Sequence, residues 1–133
     1  MENDRILETI VADHKGKPIF FDFWTTWCGV CLEAIEEMKS IKQKIIDKGV
    51  EIIYITEDSS PKATWAEMLP DIGGKHYYLP QEAVKALGKK YDILELGEGY
   101  PYYLIFDKKG NISFRHAGFT GNEKMLQELE KVW

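Results

Sequence analysis

Two short apolar runs, residues 18–24 and 50–56, flank a single stretch of helical periodicity, and this order constrains the fold more than any other feature of the chain. In the first run Ile19, Phe20, Phe21, Phe23 and Trp24 leave Asp22 as the polar exception, which predicts a central strand covered on both faces. Ile35, Met38, Ile41 and Ile45 then line one face of a helix that Gly49 ends as a left-handed cap. A helical crossover between two apolar strands makes them neighbours in a parallel pair, so the fold class is α/β.

The rest of the chain extends this unit. Ile6, Leu7, Ile10 and Val11 predict a short amphipathic helix ahead of the turn His14-Lys15-Gly16-Lys17. Ser60 followed by Pro61 predicts an N-cap and first turn for a helix carrying Trp65, Met68 and Leu69 and ending before Pro70. A short apolar piece, Tyr77 to Leu79, and a helical pattern through Ala83, Val84, Leu87 and Tyr91 follow, with Trp65, Tyr77, Tyr78 and Tyr91 as packing residues. Tyr102 to Phe106 and Ile112 to Phe114 flank the polar turn Asp107 to Asn111, an antiparallel hairpin. Thr120 and Glu123 have capping-box spacing for a last helix with Met125, Leu126, Leu129 and Val132 on its apolar face. With no internal repeat or low-complexity segment, residues 1–133 read as one domain, either complete or cut from a longer protein.

A chain of 133 residues that is 44% hydrophobic is able to form its own core without a covalent staple. Its two cysteines, Cys28 and Cys31, are therefore free for chemistry, and they are too few for a disulfide framework. The net charge of −5 comes from interleaved acids and bases, which excludes a basic stripe for nucleic acid. No apolar run approaches the roughly 18 residues of a membrane span. Residues 1–5 lack the features of a signal peptide, so the chain is either cytoplasmic or trimmed from an exported protein.

Cys28 and Cys31 lie in Trp27-Cys28-Gly29-Val30-Cys31, between the first strand and its helix. A sulfur at a helix N-terminus meets unpaired backbone N–H groups and the positive end of the macrodipole, both of which favour a thiolate. Cys28 is thus a candidate nucleophile and Cys31 a candidate resolving thiol, with a structural thiol pair as the alternative. A zinc site would need four ligands, whereas His14, His76 and His116 are scattered, so no metal is expected. Asp22 on an apolar strand is costly unless it has a task or a partner; burial raises its pKa, which suits proton transfer to Cys31, and a nearby lysine or water is the other solution. Glu33, Glu36 and Glu37 near the helix start form a solvated face.

The element order, with Phe21-Asp22-Phe23-Trp24 upstream of the cysteines, Tyr100-Pro101 before the hairpin and Gly118 after it, resembles the thioredoxin fold over nearly the whole chain. Within that fold the chain is most similar to the TlpA/ResA-like branch, on two features. The segment Asp58 to Ile93 exceeds a single crossover helix, and Tyr102 to Ile112 looks like that branch's hairpin. The resemblance implies a central mixed sheet flanked by helices, with an insertion between the second strand and a cis-proline at Pro101. It implies a thiol-disulfide oxidoreductase that exchanges electrons with protein thiols and disulfides, without a bound cofactor, as a monomer. Tyr100, Pro101 and Trp27 would then form the docking surface, with a trans proline at a strand start and core-filling aromatics as the alternatives. Members of the branch are usually extracytoplasmic. A non-catalytic binding module within a larger envelope protein is the competing reading, and copper delivery a third.

The departures from the branch are specific. Val30 stands where proline is frequent between the cysteines, Ala34 where an acid follows the second cysteine by three, and Glu36 where a proline follows. Glu33 is one position from the missing acid, and on a helix that shift turns a side chain by about 100°. Asp22, six residues before Cys28, is where thioredoxin itself carries its acid, so the proton-handling group is expected on the strand.

Overall fold

A computed structural model describes residues 6–93, 96 and 99–133, so the expectation about residues 1–5 lies outside the described residues, as do the side chains of Ile6 and Leu7. Helix α1 (Ile6–Asp13) leads into β1 (Ile19–Phe23), α2 (Gly29–Asp47) and β2 (Glu51–Glu57). Then come α3 (Lys62–Ile72), β3 (Lys75–Leu79), α4 (Gln81–Lys90), the hairpin β4 (Tyr102–Phe106) and β5 (Ile112–Ala117), and α5 (Asn122–Glu130).

The strands form one sheet in the order β3-β2-β1-β4-β5. β1 pairs parallel with β2 and β2 with β3, while β1–β4 and β4–β5 are antiparallel, giving the expected mixed sheet. All five residues of β1 are buried, because strand alternation sends Ile19, Phe21 and Phe23 to one face and Phe20 and Asp22 to the other. The first face meets Ile10 of α1 and Ala83, Val84 and Leu87 of α4. The second meets Ala34, Ile35, Met38 and Ile45 of α2, Ile72 of α3, and Met125 and Leu129 of α5. The segment between β2 and the hairpin thus supplies two helices and an edge strand.

α2 ends as its sequence predicts. Gly49 has φ 85°, its N–H donates to Ile46 O and that of Val50 to Ile45 O, a Schellman arrangement that pairs two carbonyls otherwise left open. Three predicted caps and stops differ. Ser60 does not cap α3; Pro61 precedes the helix without a side-chain cap, and the Ser60 hydroxyl turns inward, as described below. Pro70 lies inside the last turn of α3, where its missing N–H forfeits one bond at Ala66 O while Gly73 N–H still closes onto Leu69 O at 2.8 Å. Thr120 forms no capping box; Gly121, at φ 96°, begins α5, and the Thr120 hydroxyl points at Met125 Sδ.

Candidate active site

Cys28 is the N-cap residue of α2, in extended conformation, and Cys31 lies in the first turn. One turn of helix brings the two sulfurs together, and they form a disulfide across a Cα–Cα distance of 5.2 Å. The Cys31 N–H donates to Cys28 Sγ at 3.1 Å, so the sulfur occupies the position that a serine or aspartate oxygen takes in an ordinary cap. That geometry gives negative charge on Cys28 a ready-made donor and the helix dipole. Cys28 Sγ also lies 3.6 Å from Tyr100 O. Cys28 is 8% exposed and Cys31 0%, an asymmetry that suits an outer attacking and an inner resolving sulfur.

The rim of the site is aromatic. Trp27 is 62% and Val30 58% exposed, the two large apolar side chains that flank Cys28 at the surface. Trp27 stands edge-on to the half-buried Tyr100, ring centroids 6.4 Å apart, and its indole N–H donates to Ser59 Oγ at 2.9 Å. The Tyr100–Pro101 peptide bond is cis. Glu33, Glu36 and Glu37 are exposed on α2, whereas Ala34 is buried, so the position where an acid was missed faces the core.

Asp22 sits beneath this surface. It shares its sheet face with Phe20, which packs in the same cluster as Trp24 and both cysteines. It is 1% exposed, and neither carboxyl oxygen has a hydrogen-bond partner. Burial pushes its pKa up to about 8, against which the positive charge of Lys42 pulls down. In register it is flanked by Tyr54 on β2 and Tyr103 on β4, whose phenols are both raised by burial and by the Asp22 charge. Lys42 spans the gap from α2: its ammonium donates to Ile72 O and lies 5.0 Å from the centre of the Tyr54 ring. Burial, together with Lys39, lowers its own pKa.

Sequence reasoning passed over Lys42, Glu57 and Ser59, and gave Ser60 a different task. Lys42 had a usable signal, since it follows Met38 by four residues and precedes Ile45 by three, on the apolar stripe of α2. Glu57 lies one residue past the apolar run 50–56, but β2 runs through it and it is 1% exposed. Ser60 accepts from Thr26 N–H at 3.0 Å and lies 2.8 Å from Thr56 Oγ1, tying the loop before the cysteines to the end of β2.

Known proteins resemble this chain in sequence and in fold. The thiol:disulfide interchange protein DsbE of Haemophilus influenzae is 30% identical over 121 residues, covering 90% of this chain and 61% of that protein. The chain therefore spans less than two thirds of that relative's length. The thiol-disulfide oxidoreductase ResA of Bacillus anthracis is 29% identical over 122 residues, covering 92% of this chain and 67% of that one. The crystal structure of a thioredoxin-family thiol:disulfide interchange protein from Chlorobium tepidum superposes with a TM-score of 0.76 at 20% identity, over 92% of this chain and 83% of that one, which establishes the thioredoxin-like fold. Relatives that carry these names do not favour a non-catalytic binding module. Residues 8–132 match the Redoxin family, and the chain belongs to it.

Proposed function

We propose that this chain is a protein thiol-disulfide oxidoreductase whose Cys28–Cys31 pair cycles between dithiol and disulfide. The observation that carries the reading is the Cys31 N–H on Cys28 Sγ, at a helix start open to the surface beside Trp27 and Tyr100. In the reductive direction the Cys28 thiolate attacks one sulfur of a partner disulfide; a Cys28–partner bond forms, the partner's S–S bond breaks and one partner thiolate leaves. Cys31 then gives up its proton, and its thiolate attacks Cys28 Sγ, closing the intramolecular disulfide and releasing the second partner thiolate. Two electrons have passed to the partner, and an external dithiol restores the reduced chain.

Asp22 is the acceptor for the Cys31 proton in this scheme. A carboxyl that titrates at about 8 is mostly protonated at neutral pH, so its deprotonated fraction takes the proton, and its place on the sheet face that packs against the cluster holding Cys31 supports that role. Trp27, Tyr100 and Pro101 form the docking surface, where the exposed indole and the half-buried phenol flank an extended partner segment. We read the chain as a single monomeric domain whose two cysteines pair with each other. Among the described residues no helix is long and apolar enough to cross a membrane. The TlpA/ResA-like resemblance supports a location outside the cytoplasm.

A Cys28→Ser variant loses all dithiol-dependent reduction of insulin, and retained activity sinks the assignment. A Cys31→Ser variant accumulates mixed disulfides that non-reducing electrophoresis resolves.

A further inference from the structure

Glu57, the last residue of β2, is a buried carboxylate that the dithiol chemistry does not use. At 1% exposure it takes part in no ion pair among the described residues, and two neutral donors satisfy it. The Ser59 N–H donates to Oε1 at 2.6 Å and the Tyr100 hydroxyl donates to Oε2 at 3.2 Å. A buried charge without a cation is expensive, so a carboxylate here needs every bond it receives. Burial first, and then the Glu57 charge, push the Tyr100 phenol well above its usual pKa, which keeps the donating proton in place.

The two donors lead directly to the rim of the dithiol. Tyr100 presents its carbonyl to Cys28 Sγ at 3.6 Å and its ring to Trp27. Ser59 receives the Trp27 indole N–H at 2.9 Å. Glu57, Ser59, Trp27 and Tyr100 therefore close a ring of contacts, which meets Cys28 Sγ at the Tyr100 carbonyl. Glu57 is its anchor, because it alone of the four sits on a sheet strand.

We infer that Glu57 is a positioning residue for protein substrates: it holds Tyr100 and, through Ser59, Trp27 as two fixed walls against which an extended partner segment docks beside Cys28. This rests on the oxidoreductase reading above. A glutamine offers a single acceptor oxygen where two donors converge, so Glu57→Gln releases one wall while keeping shape. Preorganised walls matter for a partner that must be held in register and hardly at all for a small disulfide that collides with the sulfur alone.

The test compares insulin with 5,5′-dithiobis(2-nitrobenzoate) as oxidants of the reduced full chain. For Glu57→Gln the KM for insulin rises about tenfold with kcat within about twofold, about 1.4 kcal/mol of lost docking, and the insulin-to-small-disulfide rate ratio falls by the same factor. Tyr100→Phe, which deletes the same contact from the other side, gives the same split, and the double variant is no worse than the poorer single one. Tyr100→Phe also decides the matter if Glu57→Gln fails to fold. An unchanged ratio in the folded variant, an equal loss with both oxidants, or additive losses in the double variant overturns the inference. A wild-type chain that reduces neither oxidant overturns the oxidoreductase reading instead.

Discussion

The backbone N–H of Cys31 donates to Cys28 Sγ at 3.1 Å, so one cysteine's main chain solvates the other's sulfur. The interaction depends on the helix start and not on the S–S bond, so it is expected to persist when the disulfide is reduced. On the proposed roles, Cys28 carries the negative charge in the reduced chain and Cys31, with no exposed surface, stays a thiol. Brief treatment with iodoacetamide at neutral pH modifies Cys28 about tenfold or more faster than Cys31, since only the thiolate reacts. Peptide mass spectrometry reads the ratio, and equal labelling contradicts the assignment of roles.

Asp22 makes a pH prediction with a definite sign. Its carboxyl titrates at about 8 in the folded chain against an ordinary value of 3.8. Between these values the native state holds a proton that the unfolded chain has lost, so stability falls as pH rises, with a limiting slope of about 1.4 kcal/mol per pH unit, and levels off above the folded value. Asp22→Asn removes this slope. Urea unfolding of the oxidised proteins at pH 5, 6.5 and 8 shows the variant gaining on wild type at each step, whereas a constant difference disproves the raised pKa. The same variant slows resolution of the mixed disulfide by about a hundredfold at neutral pH, the scale of a lost general base.

Trp27 separates docking from stability. At 62% exposure its removal leaves no core cavity, and Trp27→Ala shifts unfolding free energy by under about 0.5 kcal/mol. On the proposed docking role its large exposed face beside Cys28 anchors a partner, so kcat/KM for insulin falls about thirtyfold, the effect of losing roughly 2 kcal/mol at an interface hot spot. Paired denaturation and steady-state assays distinguish the two effects.

Ser60 predicts the reverse pattern. It is fully buried and its hydroxyl satisfies Thr26 N–H and lies against Thr56 Oγ1. Ser60→Ala leaves both groups unpaired and costs about 1–3 kcal/mol by chemical denaturation, a loss that Thr56→Val in the same background partly recovers.

Gly88 tests how closely α4 approaches the segment that follows it. A Cβ there would come within 2.6 Å of Ile93 O and 2.9 Å of the Leu96 Cβ, so Gly88→Ala forces backbone apart and destabilises by about 1–3 kcal/mol despite a better helix propensity. A neutral or stabilising result by thermal unfolding contradicts the close approach.

Local pattern revealed most of the elements for a physical reason. Apolar periodicity in residues 19–23, 35–45 and 51–57 directly reflects which side chains face a core, and the cysteine pair between them reflects where a helix begins. The caps were less legible. Ser60 and Thr120 have the chemistry of N-caps, but a hydroxyl that finds a tertiary partner is drawn away from the helix end, as Ser60 is toward Thr26 and Thr120 toward Met125.

By itself the sequence determined the β-helix-β frame, the placement of Cys28 at a helix start and the burial of Asp22, because each follows from residues close along the chain. Only the tertiary structure decided what surrounds them. Lys42 reaches the Asp22 site by crossing from α2 to the end of α3, and the Glu57–Tyr100 bond joins residues 43 apart. Such contacts depend on how the segment between β2 and the hairpin folds back over the sheet edge, and no periodicity in either partner encodes the distance between them.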